Sequence, residues 1–370
     1  MNRIDQTHPD APDLAAFGPH PVGVETLHLT NPDQIDVLHS DPEIRRHDRP
    51  LVVELWYPAV PGTEPGTVYA TLLRDGHRPV TLHGSACRNA AQAEGEFPLV
   101  ILSHGYPGNR ILLSHFGEKL ASWGYVVASI DHTDSTYADK AALASTLVNR
   151  PLDTGFVAST LHARADTRRW AIIGYSMGGY GALVAGGAAV SAAALQLETA
   201  PRAGLWDACL APVVDPGLKA IIPIGPWGRQ RGVWDASGMA GLTVPMLVMA
   251  GSADDISGYD TGMRRIFEEA TGTSRHLLTF VGAGHNAAAP CPAPAEAFEP
   301  SPHLDFLPAE HYADPVWNTL RMNSIAQHFA RAFLDLHLKG DAAKAAYLDG
   351  SFTGFAPGAK RGLIWESLSG

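Results

Sequence analysis

The chain has 370 residues, of which 45% are hydrophobic and 18% are charged, and this balance excludes an intrinsically disordered protein. The net charge is -11 at pH 7 and the sequence pI is near 5.8. This charge argues against binding to nucleic acid or to anionic lipid, because both depend on clustered Lys and Arg side chains. We therefore expect a globular protein that binds neither nucleic acid nor an anionic lipid surface.

The three cysteines are Cys87, Cys209 and Cys291, and they share no metal-ligand spacing. A Cys87–Cys291 or Cys209–Cys291 disulfide stays open, although three reduced thiols in a cytosolic protein are the favoured interpretation. The N-terminal residues are polar, and their apolar patch at 14–17 is shorter than the core of about 7–15 residues that a signal peptide needs. The sequence as printed therefore predicts a cytoplasmic protein.

One uncharged run, residues 171–197, is long enough to cross a bilayer. It contains six glycines and lacks aromatic or basic anchors at its far end. A buried strand followed by a buried helix accounts for the same composition. We expect that arrangement and no membrane span.

Apolar runs alternate with helical patterns along the chain, which predicts a mostly parallel central sheet with helices on both faces. The predicted strands are 22–29, 51–57, 98–103, 125–130, 170–174, 218–224, 244–250 and 276–281. The predicted helices are 111–123, 156–164, 177–190, 259–270 and a last helix from an N-cap at Asp314 to a stop at Gly340. We expect a single domain with a core at about 20–340, insertions at 132–165, 191–217 and 286–314, and a C-terminal tail at 341–370.

The segment Gly174-Tyr175-Ser176-Met177-Gly178 matches the pattern G-x-S-x-G between an apolar strand and a Gly/Ala-rich helix. So tight a turn strains the backbone at the serine and requires small neighbours. It exposes the Ser176 hydroxyl at the N-terminus of a helix, where developing negative charge is favoured. Ser176 is the candidate nucleophile, and the alternative is a simple tight turn between strand and helix.

A serine nucleophile needs a base, commonly a histidine oriented by a carboxylate. Asp254 follows the predicted strand 244–250, and His285 follows the strand 276–281. Both therefore lie at the carboxyl edge of the sheet. The chain order Ser, Asp, His is the order expected for a serine nucleophile in a parallel sheet of this kind, and it differs from the chymotrypsin and subtilisin orders. Asp255 is the alternative acid, although it would also suit a solvated turn or a helix cap.

An oxyanion needs two oriented N–H donors. The backbone N–H of Met177 is one candidate, and the N–H of Tyr106 in the loop after strand 98–103 is the other. Pro107 has no N–H and cannot serve. His104 is expected as a packed or hydrogen-bonding scaffold residue rather than a second base, and it is also a candidate for the substrate pocket.

With these motifs in place, the sequence resembles α/β-hydrolases, and more narrowly bacterial esterases similar to platelet-activating-factor acetylhydrolase and dienelactone hydrolase. The resembling segments span most of residues 50–290 in family order. They are LVVELWYPA (51–59), FPLVILSHGYPGNR (97–110), LASWGYVVASIDHTDST (120–136), IIGYSMGG (172–179), PMLVMAGSADD (245–255) and GAGHN (282–286). The resemblance implies an α/β-hydrolase fold and the same assignments, namely Ser176 as nucleophile, Asp254 as acid, His285 as base, and Tyr106 and Met177 as oxyanion donors. Dienelactone hydrolases use a cysteine nucleophile, so the serine at this position argues against dienelactones as substrates.

The expected activity is hydrolysis of small to medium carboxylic esters through an acyl-serine, without a metal or organic cofactor. No basic cluster adjoins the motifs, which favours neutral, moderately apolar esters. Two alternatives stay open. The first is hydrolysis of a thioester, lactone or amide, and the second is an inactive hydrolase fold that serves as a binding module.

The Pro-rich segment 286–314 begins directly after His285, so we expect it to line or cover the substrate pocket together with 132–155 and 191–217. The alternative is a mobile strap at the surface. Trp227 is a candidate for the pocket or for ordinary core packing, and Tyr175 is also a pocket candidate, although its role within the motif is open. Further apolar candidates within the Pro-rich segment are Phe298, Leu304, Phe306, Leu307 and Tyr312.

Overall fold

The computed structural model describes residues 2–202 and 204–370, and its main feature is a ten-stranded sheet. The strands are β1 (Val22–Ile35), β2 (Arg46–Pro58), β3 (Thr67–Leu72), β4 (Pro79–Gly84), β5 (Cys87–Arg88), β6 (Pro98–Ser103), β7 (Val126–Asp131), β8 (Asp166–Tyr175), β9 (Leu218–Ile224), β10 (Met246–Gly251), β11 (Arg275–Phe280) and β12 (Leu363–Leu368). Strands β3 and β4 form a separate antiparallel hairpin.

The strand order in the large sheet is β12-β11-β10-β9-β8-β6-β7-β2-β1-β5. Strands β6 to β11 pair in parallel, while β2 and β12 run antiparallel to the parallel strands that they border. The carboxyl ends of the parallel strands therefore meet at one edge of the sheet, where ligands bind in open α/β sheets.

Helices of unequal length connect the strands. The α-helices are α1 (Ser114–Ser122), α2 (Leu143–Thr160), α3 (Met177–Ala185), α4 (Asp207–Leu210), α5 (Ala236–Ala240), α6 (Arg264–Glu269) and α7 (Thr319–Lys339). A π-helical turn at Tyr259–Met263 precedes α6. Single 3-10 turns occur at Asp13–Ala15, Leu161–Ala163, Ala192–Gln196, Arg229–Arg231, Ala295–Phe298, Pro308–His311 and Ala342–Tyr347.

Each face of the sheet has its own hydrophobic core. Helices α1 and α7 pack against one face and bury side chains such as Trp56, Phe116 and Phe329. Helices α2 and α3 pack against the other face, where Leu55 and Tyr180 are buried. Leu55 and Trp56 are neighbours in the chain yet belong to opposite cores, because successive side chains of a strand point to opposite faces. The predicted α/β fold with a mostly parallel sheet is confirmed.

The uncharged run 171–197 forms the end of β8, helix α3 and a 3-10 turn. The strand and the helix are buried almost throughout. Across residues 2–202 and 204–370, no helix combines the length and the apolar character needed to cross a bilayer. All three cysteines are free thiols.

Several helix boundaries differ from the prediction, since α1 begins at Ser114 rather than 111 and α3 ends at Ala185 rather than 190. Helix α2 covers Leu143–Thr160 rather than 156–164. The sequence does not predict its first part because that part buries polar side chains such as Asn149 and Asp153 and so lacks an apolar stripe. Helix α7 is capped by Asn318, whose side chain accepts the Arg321 N–H, and not by Asp314.

The C-terminal segment 341–370 is more than a tail. It contains a 3-10 turn and strand β12, which pairs with β11 and completes one end of the sheet. The sequence does not predict β12, because the strand is short and follows a polar, Gly-rich stretch.

Candidate active site

Ser176 occupies a sharp turn between β8 and α3, with φ 53° and ψ -110°. A Cβ at Gly174 would lie 2.2 Å from the carbonyl oxygen of Gly178. A Cβ at Gly178 would lie 1.9 Å from the carbonyl oxygen of Ser103 on β6. Glycine is therefore required on both sides of the serine, and a non-glycine residue at positive φ marks local strain of the kind found at functional sites.

Ser176, His285 and Asp254 form a hydrogen-bonded chain. The Ser176 Oγ lies 3.0 Å from His285 Nε2, and His285 Nδ1 lies 2.8 Å from Asp254 Oδ2. The other carboxylate oxygen accepts the backbone N–H groups of Ile256 and Ser257 at 2.9 and 2.8 Å. These bonds hold the carboxylate on Nδ1–H, which leaves Nε2 free to accept the serine proton.

Asp255 lies next to the acid but does not take its place. Its side chain is exposed and faces the cavity described below, whereas the Asp254 side chain is fully buried against His285. The structure thus brings Asp254, rather than Asp255, together with the histidine.

The two predicted oxyanion donors, the backbone N–H groups of Tyr106 and Met177, belong to segments next to the nucleophile. Met177 is the first residue of α3, where N–H groups lack helical partners, and Tyr106 follows β6. Within the described part of the chain, neither N–H donates a hydrogen bond. A Cβ at Gly105 would lie 3.4 Å from the Ser176 Cβ, so this loop approaches the serine closely. The geometry suits an oxyanion site at Tyr106 and Met177.

A cavity of about 1000 Å³ opens onto Ser176 and His285. The predicted pocket residues Tyr175, Trp227 and Phe306 line it. The Pro-rich segment 286–314 also forms much of the wall, through Asn286, Phe298, Leu307, Ala309, Glu310, His311, Ala313 and Asp314.

Other predicted parts of the wall lie elsewhere. Leu304 and Tyr312 do not line the cavity, and segment 132–155 contributes only Leu143. The described residues of 191–217 contribute none, because Trp206 and Cys209 pack into the core beside α2 and α3. The expectation that 191–217 covers the site is therefore wrong.

The chain is similar to a PET hydrolase-like family and to cutinases. A family described as "PETase: PET hydrolase-like" matches residues 82–208. Cutinase 1 of Thermobifida cellulosilytica is 28% identical over 195 residues, which are 51% of this chain and 60% of that protein. A cutinase of Thermobifida fusca (strain YX) is 28% identical over 51% of this chain and 52% of its own length. The chain thus spans about half of these relatives.

One solved structure matches almost the whole chain. A ferulic acid esterase from Streptomyces cinnamoneus has a TM-score of 0.67 and 21% identity, over 98% of this chain and 99% of that one. The chain therefore has the α/β-hydrolase fold. The comparisons support this broader resemblance, and they fall on cutinases rather than on the platelet-activating-factor acetylhydrolase or dienelactone hydrolase group.

His104 lies outside the cavity. It is 1% exposed, its Nδ1 lies 2.7 Å from the carbonyl oxygen of Gly105, and its Nε2 accepts the His132 N–H at 3.2 Å. Burial holds its pKa well below the usual range, so the ring is neutral. The expectation that His104 lines the substrate pocket is wrong.

A second Ser–His–Asp hydrogen-bond chain lies behind the Tyr106 loop. Ser103 Oγ and His132 Nε2 are 2.9 Å apart, and His132 Nδ1 lies 2.9 Å from Asp153 Oδ2. None of the three side chains reaches solvent or the cavity. This second Ser–His–Asp group therefore cannot contact a substrate, and its role is to support the Tyr106 loop.

Arg150 connects that buried chain to the oxyanion loop. Its guanidinium donates to Ser103 Oγ at 3.2 Å, to the Gly105 carbonyl at 2.9 Å, and to the His104 carbonyl. The Gly105 carbonyl and the Tyr106 N–H belong to one planar peptide unit, so fixing the carbonyl also fixes the direction of the N–H. Sequence reasoning missed Arg150, since it lies outside the recognised motifs, although the quoted segment 120–136 contains its partner Ser135, whose Oγ accepts from Arg150 at 2.9 Å.

Two histidines with lowered pKa values, the buried His132 and the half-buried His311, predict loss of stability in acid. Burial lowers the pKa of His132 to about 3, with the Arg150 charge as the next cause, and burial likewise lowers that of His311 to about 3. Unfolded histidine takes up a proton below its ordinary pKa of about 6.5, whereas the folded forms stay neutral. The free energy of unfolding should therefore fall between pH 6.5 and 3, by about 2 kcal/mol per histidine at pH 5.

Urea unfolding at pH 7 and at pH 5 tests this. The His311→Gln variant should lose less stability between the two pH values than the original chain. Equal unfolding free energies at both pH values in the original chain would contradict the prediction.

Tyr175 ties the nucleophile turn to the Pro-rich segment. Its hydroxyl donates to Asn286 Oδ1 at 2.9 Å. Asn286 in turn donates from Nδ2 to the carbonyls of Glu310 and Ala313, at 2.6 and 2.9 Å. The Tyr175 ring also packs against that of His285, with centroids 5.2 Å apart. The residue before the serine, the residue after the histidine and the far end of the segment are thus held together.

The Tyr175→Phe change should loosen this wall of the cavity. It leaves the half-buried Asn286 Oδ1 without its donor, and loss of such a hydrogen bond costs about 0.5–1.5 kcal/mol. We expect KM for an ester to rise more than kcat falls, as steady-state kinetics would show. The matched control is Tyr57→Phe, which removes a hydroxyl bonded to the Ala90 carbonyl outside the cavity. Equal KM changes in both variants would contradict this role.

Across the described residues, no group of three or more His, Cys, Asp or Glu side chains has the arrangement of a metal site. The candidate site is therefore built from the triad, the two N–H donors and the cavity wall.

Proposed function

We propose that this chain is a serine carboxylic ester hydrolase that works through an acyl-serine intermediate. The observation that carries the proposal is the 3.0 Å contact between Ser176 Oγ and His285 Nε2 beside a cavity of about 1000 Å³. The cutinase relatives and the esterase fold neighbour support it.

In the acylation step, His285 Nε2 takes the proton of Ser176 as Oγ attacks the ester carbonyl carbon. The carbonyl oxygen gains negative charge and accepts hydrogen bonds from the N–H groups of Tyr106 and Met177. The imidazolium, stabilised by Asp254, then protonates the leaving alcohol as the carbon–oxygen bond breaks.

Deacylation repeats the cycle with water. His285 removes a proton from water as the water oxygen attacks the acyl carbon, and it returns that proton to Ser176 Oγ as the acid leaves. Every proton transfer runs through a side chain of this chain, so the mechanism uses no metal or organic cofactor.

The cavity wall combines apolar side chains such as Trp227 and Phe306 with four charged residues, and its volume of about 1000 Å³ suits small to medium esters. The same triad can also cleave a thioester, lactone or amide, and this is the second candidate. The narrower likeness to platelet-activating-factor acetylhydrolase remains a proposal about substrate class. A cytoplasmic location also remains a proposal, supported by three free thiols.

A substrate panel tests the proposal. It compares 4-nitrophenyl esters of increasing acyl length with a thioester, a lactone and a 4-nitroanilide that carry matching acyl groups. We expect kcat/KM to be highest for the oxygen esters of short or medium acyl chains. A higher kcat/KM for any other bond type would favour the second candidate, and no turnover of any compound would favour a binding module.

A further inference from the structure

One arginine at the cavity has no polar partner. Arg74 lies in the turn between β3 and β4 and lines the same cavity as Ser176. Among residues 2–202 and 204–370, its side chain forms neither a hydrogen bond nor an ion pair. The contact that the structure shows is with the ring of Phe306, whose centre lies 5.7 Å from the guanidinium carbon.

The other arginines show how unusual this is. Among the described residues, every other arginine that is not exposed donates from its side chain to a carboxylate, a carbonyl or another polar side chain. A half-buried guanidinium presents five N–H donors and is seldom left unpaired. An aromatic face stabilises its charge but accepts none of these in-plane hydrogen bonds.

We propose that Arg74 forms an anion-binding subsite in the cavity and binds a carboxylate or phosphate group carried by the ester substrate. The planar guanidinium matches both groups through two parallel N–H···O bonds. This inference rests on the proposed function, which it makes more specific. The substrate would be a half-ester, with the scissile bond at Ser176 and the free anion at Arg74.

The carboxylates around the cavity do not neutralise this arginine. Asp255, Glu310 and Asp314 also line the cavity, but none of them forms an ion pair with Arg74. The Asp314 carboxylate accepts three backbone N–H groups, and that of Glu310 accepts one. Asp255 is exposed. These acids are thus held by the backbone or by solvent, and the anion position beside Arg74 is left to a ligand.

The charge of Arg74 reaches the interior of the site. It is the second cause, after burial, of the low pKa of His311, and it partly offsets the rise that burial causes at the Tyr106 hydroxyl. Both residues line the cavity.

The volume of the cavity, about 1000 Å³, is at the upper end of common ligand pockets, so the cavity has room for an ester with a charged extension.

The experiment compares two esters with the same leaving group. One is 4-nitrophenyl butyrate, which is neutral, and the other is mono-4-nitrophenyl glutarate, which carries a carboxylate on the acyl chain. The measured quantity is the ratio of kcat/KM for the charged ester to that for the neutral ester. Inorganic phosphate, tested as a competitive inhibitor, distinguishes phosphate from carboxylate as the preferred anion.

We expect Arg74→Gln to lower this ratio about 10- to 100-fold, as loss of a charge-assisted hydrogen bond predicts. Arg74→Lys should retain part of the ratio, because it keeps the charge without the planar fork. The control is Arg45→Ala, which removes an exposed arginine outside the cavity and should leave the ratio unchanged. Thermal melting of each variant verifies that it is folded.

An unchanged ratio in Arg74→Gln would overturn the subsite, and so would an equal fall in Arg45→Ala, which would indicate a general charge effect. These outcomes leave ester hydrolysis itself standing. If the original chain hydrolysed neither ester, the proposed function would fail, and the subsite with it.

Discussion

Replacing Ser176 by alanine is expected to lower kcat/KM for a 4-nitrophenyl ester by about 10⁵-fold or more. The change removes the nucleophile and leaves the oxyanion donors and the cavity in place. Activity that remains should come from those donors and from binding alone. Steady-state rates measured at high enzyme concentration would quantify the loss.

The matched control is Ser237→Ala, an exposed serine outside the cavity. It should retain the original kcat/KM. The Ser176→Ala variant should remain folded in thermal melting. Alanine retains the Cβ of serine, so the steric demand at φ 53° is the same. Residual activity above about 1% of the original would contradict the nucleophile assignment, since loss of a nucleophile costs far more.

The Asp254→Asn change is expected to lower kcat by about 10⁴-fold. Asparagine keeps the shape of the side chain, and one oxygen can still accept the N–H groups of Ile256 and Ser257. However, the amide no longer stabilises the imidazolium, and it allows the wrong tautomer of His285. The effect should therefore fall on kcat rather than on KM.

The adjacent Asp255→Asn variant serves as the control. Its carboxylate is exposed at the cavity and makes no contact with His285, so we expect a change of only about twofold, as for a screened surface charge. A large loss in Asp255→Asn together with a small loss in Asp254→Asn would make Asp255 the acid and contradict the geometry.

The residues of the proposed triad could be predicted because each follows an apolar strand. Ser176 directly follows β8, while Asp254 and His285 lie in the loops that follow β10 and β11, and parallel strands bring their carboxyl ends to one edge. The glycines around Ser176 are also local signals, since a Cβ there would collide with neighbouring backbone. The central sheet and the site could thus be predicted together.

The supporting contacts could not be predicted in the same way, because they join distant parts of the chain. Tyr175 bonds to Asn286, and Arg150 bonds to Gly105, and in each pair the two residues are far apart in the sequence. Arg74 reaches the cavity from a hairpin outside the large sheet, so a search for basic residues beside the motifs does not find it. Helix α2 was missed over most of its length for a related reason, since its buried polar residues bind other elements.

The account depends above all on Ser176 being the reactive serine, and covalent labelling tests this most directly. The chain would be treated with a fluorophosphonate, and the modified residue would be located by peptide mass spectrometry. The account predicts one adduct on Ser176, absent in Ser176→Ala, and none on Ser103, which is buried in the second hydrogen-bond chain. No labelling, or an adduct on Ser103 or another serine, would contradict it.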